Sequence, residues 1–311
     1  MATALTLPEY AKTLPADSSE RAYVEMYAKE SDLIRAIPFE TVPGGLYRYD
    51  RENTLPGVAF RGINESYTAT TGVINPLIEQ TFISGGEIKV DKALIRRHGE
   101  AKRTQQEQMQ IKALVKGVSS TILNGNNATN PKEFDGLKRR ITGSSSLTNS
   151  AASGGAALSL YKLDRAISTC SEPTHILMPK AMRDRLTQAG RNTGVGGYVD
   201  QTKDDFGNTI TSYRRLPILV GYEEEADTPL LAFDEVGSGG GSAVTTSIYV
   251  LSIKDGKFSG FQAAPMDAKD LGEMQSEPKL LTRIEWDSGI RIEHPFAAIR
   301  LSSITDAAIT A

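Results

Sequence analysis

Between residues 56 and 124 the spacing of hydrophobic residues changes character, and that change organises the chain. Val58, Phe60, Ile63, Val73, Ile74, Ile78, Phe82 and Ile83 are scattered among Gly, Pro, Asn and Thr, a composition of strands and turns with little to build a core from. Over 87–91 the pattern tightens to alternation. Ile88 and Val90 point one way and Glu87, Lys89 and Asp91 the other, which predicts a strand with one covered and one charged face. Ser84-Gly85-Gly86 just before it predicts a turn joining 81–83 to 87–91. From 99 to 123 the period becomes 3.6: Ile111, Val115, Val118 and Ile122, widened by Met109 and Leu114, predict one long helix stopped by Asn124-Gly125. Its first turns are wholly polar, so half of it has no core to join in a monomer. An isolated two-stranded ribbon is marginal in water. The pattern therefore predicts an arm that packs on another subunit, and assembly rather than catalysis.

The flanking regions are more ordinary. Residues 1–17 are expected to be extended, with Pro8 and Pro15 interrupting any helix. Asp17 and Glu20 form a capping-box pattern for a helix to about Ala36, carrying Tyr23, Tyr27 and Ile34, ended by Pro38 and Pro43. The arm then runs through 46–49 and breaks at 55–57. Residues 130–140 predict a loop with a short helical piece, and 144–155 a low-complexity linker. Helices are expected over 157–168 and 179–189, and strands over 174–178, 216–222 and 230–233. Loops are expected at 191–197 and 237–242. Strands 247–253 and 258–262 should form a hairpin around Lys254-Asp255-Gly256, with tail strands at 280–284, 289–293 and 297–301. The class is α+β, with no internal repeat of 20–50 residues.

Composition narrows the function by exclusion. The 311 residues are 39% hydrophobic and 23% charged, with a net charge of -3. That is globular chemistry with no overall basic character for nucleic acid. Cys170 is the sole cysteine, so no intrachain disulfide can form, which points to a reducing compartment. No secretory signal and no membrane span is expected. His98, His175 and His294 are dispersed and match no ligand motif; His175, before an apolar strand, reads as a core residue. Cys170 with His175 is no catalytic arrangement, and a thiol beside a core strand is inert. Gly194-Val195-Gly196-Gly197 follows a helix and lacks the Lys-Ser/Thr of a phosphate loop. The carboxylates Asp204-Asp205, 223–225 and Asp234-Glu235 could ligate a hard cation but read better as solvated faces. The sequon matches at Asn64 and Asn127 are chance ones without a secretory signal. Arg96, Arg97, Lys102, Arg103, Lys112 and Lys116 make the long helix locally basic, partly offset by Glu100 and Glu107; a solvated face comes first and weak phosphate contact second. No catalytic, cofactor or metal site emerges.

The order of parts resembles the major capsid proteins of tailed bacteriophages, the Hong Kong 97-type capsid fold. The residues that carry the resemblance are Gly57-Val58-Ala59-Phe60-Arg61-Gly62-Ile63-Asn64-Glu65, Thr71-Gly72-Val73-Ile74-Asn75-Pro76 and Gly85-Gly86-Glu87-Ile88-Lys89-Val90-Asp91-Lys92. Asn130-Pro131-Lys132-Glu133-Phe134-Asp135-Gly136-Leu137, Trp286-Asp287-Ser288-Gly289-Ile290 and His294-Pro295-Phe296-Ala297-Ala298 follow in order. The resemblance implies an N-terminal arm (1–56) and an extended β-hairpin loop (57–90) lying over a neighbour. It also implies a peripheral domain (91–150 and 281–311) with a spine helix at about 99–124, and an axial domain (151–280) whose loops meet at ring centres.

The implied function is a structural subunit that assembles into pentamers and hexamers around packaged double-stranded DNA. The implied partners are further copies of itself, a portal, a possible separate scaffolding or decoration protein, and DNA by non-specific contact, with no membrane; the location is a virion assembled in the host cytoplasm. Arg61, Glu65, Glu79, Glu87, Lys89 and Asp91 are the expected intersubunit charges. Some family members weld their shells through a lysine in the loop. No lysine lies between Lys29 and Lys89 here, so non-covalent stabilisation is expected. About 56 residues precede the loop, so any scaffolding would be a separate protein. A nanocompartment shell of the encapsulin type shares the fold and is the runner-up, and a small-oligomer enzyme is the third reading.

Overall fold

A computed structural model describes residues 5–13, 31–191, 199–203, 209–221 and 229–310. In chain order its elements are β1 (Leu5–Thr6), α1 (Leu7–Thr13), α2 (Asp32–Ala36), β2 (Pro38–Thr41), β3 (Leu46–Thr54), β4 (Val73–Gln80) and β5 (Phe82–Asp91). Next come α3 (Lys92–His98), α4 (Ala101–Asn124), α5 (Leu137–Arg140), β6 (Ser146–Thr148), α6 (Leu160–Thr169), β7 (His175–Leu177) and α7 (Lys180–Gly190). Strands β8 (Val199–Lys203), β9 (Thr209–Tyr213), β10 (Leu216–Leu219), β11 (Glu235–Val236), β12 (Ala243–Leu251), β13 (Phe258–Glu273), β14 (Lys279–Ile292) and β15 (Ala298–Ile304) complete the chain.

The strands form three sheets. A five-stranded sheet runs β1-β2-β13-β14-β5, an eight-stranded sheet runs β6-β15-β12-β7-β10-β9-β8 with β11 beside β12, and β3-β4 stand apart as a two-stranded ribbon. Helix α4 lies on the five-stranded sheet because its 3.6-period stripe matches the inward face of β5. Ile111, Leu114, Val115, Val118, Ile122 and Leu123 are buried with Ile284, Trp286 and Ile290 of β14. At about 25 cal/mol per Å2, each such aliphatic side chain contributes roughly 2 kcal/mol. The other sheet has its own core, where Leu163, Ala166, Ile167, Met182 and Leu186 of α6 and α7 cover Ile176, Ile248, Val250 and Leu301.

Several expectations are met for the stated reasons. Helix α4 ends at Asn124, and it buries no residue before Ile111. Along β5, Ile88 and Val90 face in while Glu87 and Lys89 face out. Pro179 caps α7 in extended conformation, where its missing N–H costs nothing.

Other expectations are corrected. Residues 84–86 are not a turn: β5 is one strand in continuous antiparallel register with β14, from Phe82 opposite Ser288 to Asp91 opposite Lys279. The glycines serve close approach instead, since a Cβ on Gly85 would strike the Ile284 carbonyl oxygen and one on Gly86 the Gln110 amide. Met109 is 56% exposed, so the α4 stripe starts at Ile111. Residues 7–13 are helical rather than extended, because Pro8 sits in the first turn, where proline is tolerated. The helix expected from Asp17 does not run unbroken to Ala36. Ser31 is extended, and its side chain caps α2 by accepting from the Ile34 N–H. Tyr23 and Tyr27 lie outside the described residues.

The 144–155 stretch is no loose linker. Strand β6 pairs in parallel with β15, and buried Asn149 donates to the carbonyls of Ala156 and Ala157. Residues 230–233 form no strand, although Leu230 and Leu231 are buried in the core. The turn at 254–256 exists, but it carries the chain from one sheet to the other, so β12 and β13 pair with different partners. The two tail strands expected at 280–284 and 289–293 are one, β14. Residues 192–198, 204–208 and 222–228, which hold the Gly194 loop and two of the acidic clusters, lie outside the described residues.

Candidate assembly surface

The ribbon begins with β3 and β4, which pair antiparallel from Leu46 opposite Gln80 to Thr54 opposite Val73. Between them, residues 55–72 form a long loop. Its tip turns at Ile63-Asn64: the Glu65 N–H donates to the Gly62 carbonyl, and the Gly62 N–H to the Glu65 carboxylate at 2.8 Å. Asn64 takes a left-handed φ of 69°, a conformation asparagine tolerates well. The Thr70 hydroxyl donates to the Gly57 carbonyl at 3.0 Å and ties the two sides of the loop together.

The surface of this ribbon is unusual. Among the described residues sixteen large hydrophobic side chains are exposed, and nine of them lie on the ribbon and its loop, between Leu46 and Ile78. Phe60 is 101% exposed, Ile63 95% and Val58 89%. Soluble monomers rarely expose apolar surface so concentrated, and such patches mark interaction sites.

The base, in contrast, is fastened firmly to the body. The Tyr49 hydroxyl donates to the Ile292 carbonyl at 3.1 Å, and the Arg51 Nε to the Glu293 carbonyl at 3.2 Å. Arg140 of α5 grips Glu79 with two nitrogens, at 2.6 and 2.9 Å. Beneath Tyr47 lies Arg291, fully buried, with Glu40 at 2.8 Å, Asp255 at 2.6 Å, Glu293 at 3.0 Å and the Ser259 hydroxyl at 2.7 Å. Burial raises the pKa of both Tyr47 and Tyr49. A rigid root carries an arm whose exposed apolar side chains join no core among the described residues.

The six expected intersubunit charges fall into two groups. Glu79 is held by Arg140, Glu87 by Arg283 at 2.7 Å, and Asp91 caps α3 by accepting from the Ala93 N–H at 2.7 Å. Arg61 and Glu65 are at the loop tip, where Arg61 donates to the Glu65 carbonyl and lies over the Tyr67 ring at 5.2 Å. Lys89 is exposed on the outer face of β5. The anchors Tyr47, Arg51, Arg140 and Arg291 were missed by sequence reasoning. The one available signal was Arg291, a charge between Ile290 and Ile292.

The other described residues show no convergence of reactive groups. A groove of about 400 Å3 between β5 and α4 is lined by Phe82, Leu114, Val118 and Phe134, with Gln110, Lys132 and Glu133 among its polar groups. No histidine or cysteine reaches it. Burial lowers the His175 pKa to about 4 and pushes the Cys170 thiol up to about 12, so neither is ready as a base or nucleophile at neutral pH. Glu235 is held as an anion by hydrogen bonds from Ser247 and Lys138 and by the charge of Arg300, which outweigh the opposing effect of its burial. It is a structural tie between α5, β12 and β15. No cluster of three metal-ligating side chains occurs among the described residues, and no described helix is long and apolar enough to cross a membrane.

The sequence profile of the family described as Major capsid protein GP7 matches residues 18–215. The chain belongs to that family. It is a structural subunit of a capsid, built from many copies of itself, and not an enzyme. Among solved structures, one of Mycobacterium phage Bobi is similar at 10% identity and a TM-score of 0.60, covering 90% of both chains. The capsid of the native GTA particle is similar at 12% identity and a TM-score of 0.58, covering 90% of this chain and 91% of its own. The SrpI encapsulin of Synechococcus elongatus PCC 7942 is similar at 12% identity and a TM-score of 0.62, covering 97% of this chain and 96% of its own. These likenesses establish the mixed α+β capsid fold. No curated protein matches the chain significantly.

Proposed function

We propose that this capsid protein forms pentamers and hexamers of an icosahedral shell around double-stranded DNA, and that the ribbon is the extended loop by which each subunit lies over its neighbour. The observation that carries this is the ribbon itself: a firmly rooted arm with nine exposed large hydrophobics, in a member of a capsid family. Closed shells need heterologous contacts that close by symmetry, and an arm that reaches beyond its own core supplies one. Residues 1–45 would then be the N-terminal arm and 46–81 the extended loop, since β3 pairs with β4 while β5 joins the five-stranded sheet. Residues 91–150 and 281–311 would be the peripheral domain with α4 as its spine, joined by the β13 half of the long hairpin, and most of 151–280 the axial domain.

Arg61, Glu65 and Lys89 are the charges placed to meet a neighbour; Glu79, Glu87 and Asp91 already hold partners within the chain. With no lysine between Lys29 and Lys89, contact by burial and ion pairs replaces a covalent weld. Assembly in the host cytoplasm with a portal, and with a separate scaffolding or decoration protein, completes the proposal. Shortening the loop by joining Thr54 to Val73 through a two-residue turn should leave a folded subunit that closes no shells. Normal shells from that variant would refute the arm assignment. The likeness to the SrpI encapsulin supports a second reading, a nanocompartment around protein cargo. Nuclease-protected DNA inside purified particles favours the first reading, and cargo protein without DNA the second.

A further inference from the structure

We propose that Arg96, Arg97 and Lys102 form a phosphate-contacting patch for the duplex DNA that the shell encloses. This rests on the phage reading above. Helix α3 buries none of its residues, and its last turn carries Arg96, Arg97 and His98. Gly99, with a left-handed φ of 79°, turns the chain directly into α4, whose first turn carries Lys102 and Arg103 and no acid. Local stability does not explain this arrangement. Cations suit a helix C-terminus, so Arg96 and Arg97 alone would be unremarkable, but a cation at the N-terminus of a 24-residue helix adds to the positive end of its dipole.

The other local cations are committed elsewhere. Arg103 is locked to Glu107 at 3.2 Å, to Asp270 at 2.7 Å and to the Thr282 hydroxyl at 2.8 Å, and Lys92 is paired with Glu273. Arg96 and Arg97 are exposed and make no ion pair with any described residue; Lys102 is exposed and reaches only Gln105, at 3.2 Å. Glu100 is the one acid among residues 92–103. A concentrated cationic patch on a chain of net charge -3 fits a polyanion, and in a DNA-filled capsid the densest polyanion is the genome.

The test is the salt dependence of binding, read by fluorescence anisotropy with the purified full-length subunit and a mixed-sequence 20-bp duplex between about 50 and 200 mM KCl. Three phosphate contacts predict a slope of log K against log salt near -2.7, or about a 40-fold loss of affinity over that range. Arg96→Gln/Arg97→Gln should bring the slope to about -1, and Lys102→Gln to about -2. A control variant with the same change of net charge, Lys132→Gln/Arg165→Gln, should keep the wild-type slope. An Arg96→Gln/Arg97→Gln slope equal to wild type overturns the patch, as does an equal loss in the control. So would shells that fail to close in the double variant while its slope stays at the wild-type value, which would assign the patch to a neighbouring subunit's acids. Wild-type particles that hold no DNA would instead defeat the phage reading beneath it.

Discussion

The guanidinium carbon of Arg291 sits 4.0 Å from the centre of the Tyr47 ring, so the root of the ribbon rests on a fully buried cation. That cation is held from three directions, by Glu40 of β2, by Asp255 of the turn between the sheets and by Glu293 beyond β14. The orientation of the arm is thereby tied to the strand before it and to the junction of the two sheets. Removing one partner of a buried ion pair leaves the others uncompensated, at a cost of roughly 3–5 kcal/mol. Arg291→Ala should therefore destabilise the subunit by about that amount in urea unfolding. Asp255→Asn should cost under about 1 kcal/mol, because the Asp255 side chain is 61% exposed. Equal losses in the two variants would mean that Arg291 is not the hub.

Gly85 and Gly86 should differ in what they tolerate. A methyl group on Gly86 meets the end of the flexible Gln110 side chain, which can swing away, whereas one on Gly85 meets backbone at Ile284. Gly85→Ala is expected to cost about 1–3 kcal/mol through displacement of β5 from β14, and Gly86→Ala less than about 1 kcal/mol. Thermal unfolding of the two variants checks this; a Gly86 variant that is the worse of the pair would contradict the strand register.

Much of the fold is written in the spacing of single residues. The 3.6-residue recurrence of Ile111, Val115, Val118 and Ile122 marks α4, and the alternation of Ile88 and Val90 with Glu87 and Lys89 marks β5, because each period matches one geometry. The exposed arm was equally legible, since Val58, Phe60 and Ile63 are set among Gly, Pro, Asn and Thr with little to build a core from. Long-range features were not legible. Gly85-Gly86 carries the local chemistry of a turn, and only the passing Ile284 backbone shows why the strand continues. The turn at 254–256 resembles a hairpin because nothing local says that β12 and β13 join different sheets. The six charges expected at interfaces came from exposure on the pattern alone, so Glu79 and Glu87 were assigned without sight of Arg140 and Arg283, 61 and 196 residues away.

Phe60 separates folding from assembly. It makes no use of its own core, so Phe60→Ser should leave subunit stability within about 0.5 kcal/mol of wild type. In the shell the same ring would be buried against a neighbour, where losing an aromatic anchor costs about 2 kcal/mol or more per contact. Closed particles of the variant should fall apart at lower urea concentration than wild type, as followed by light scattering. Unchanged particle stability would remove Phe60 from the interface.

The pH dependence of subunit stability should carry the mark of His175. Its pKa falls from 6.5 to about 4 in the folded chain because burial disfavours the charged ring. The unfolded chain takes up the proton first, so stability is lost as pH falls from about 6.5 to about 4 and no further loss from this group follows below that. The loss is at most about 3 kcal/mol. His175→Gln should flatten the profile within that window when urea midpoints are measured at a series of pH values. A variant with an undiminished slope there would show that other groups carry it.

The central claim is that the ribbon reaches out of its own subunit and onto the next. Electron cryomicroscopy of the assembled particles tests it most directly. The account predicts closed shells of pentamers and hexamers in which Phe60 and Ile63 lie buried against an adjacent chain and Arg291 still sits beneath Tyr47. Shells whose ribbons fold back on their own subunits, or only small discrete oligomers under every assembly condition, would contradict it.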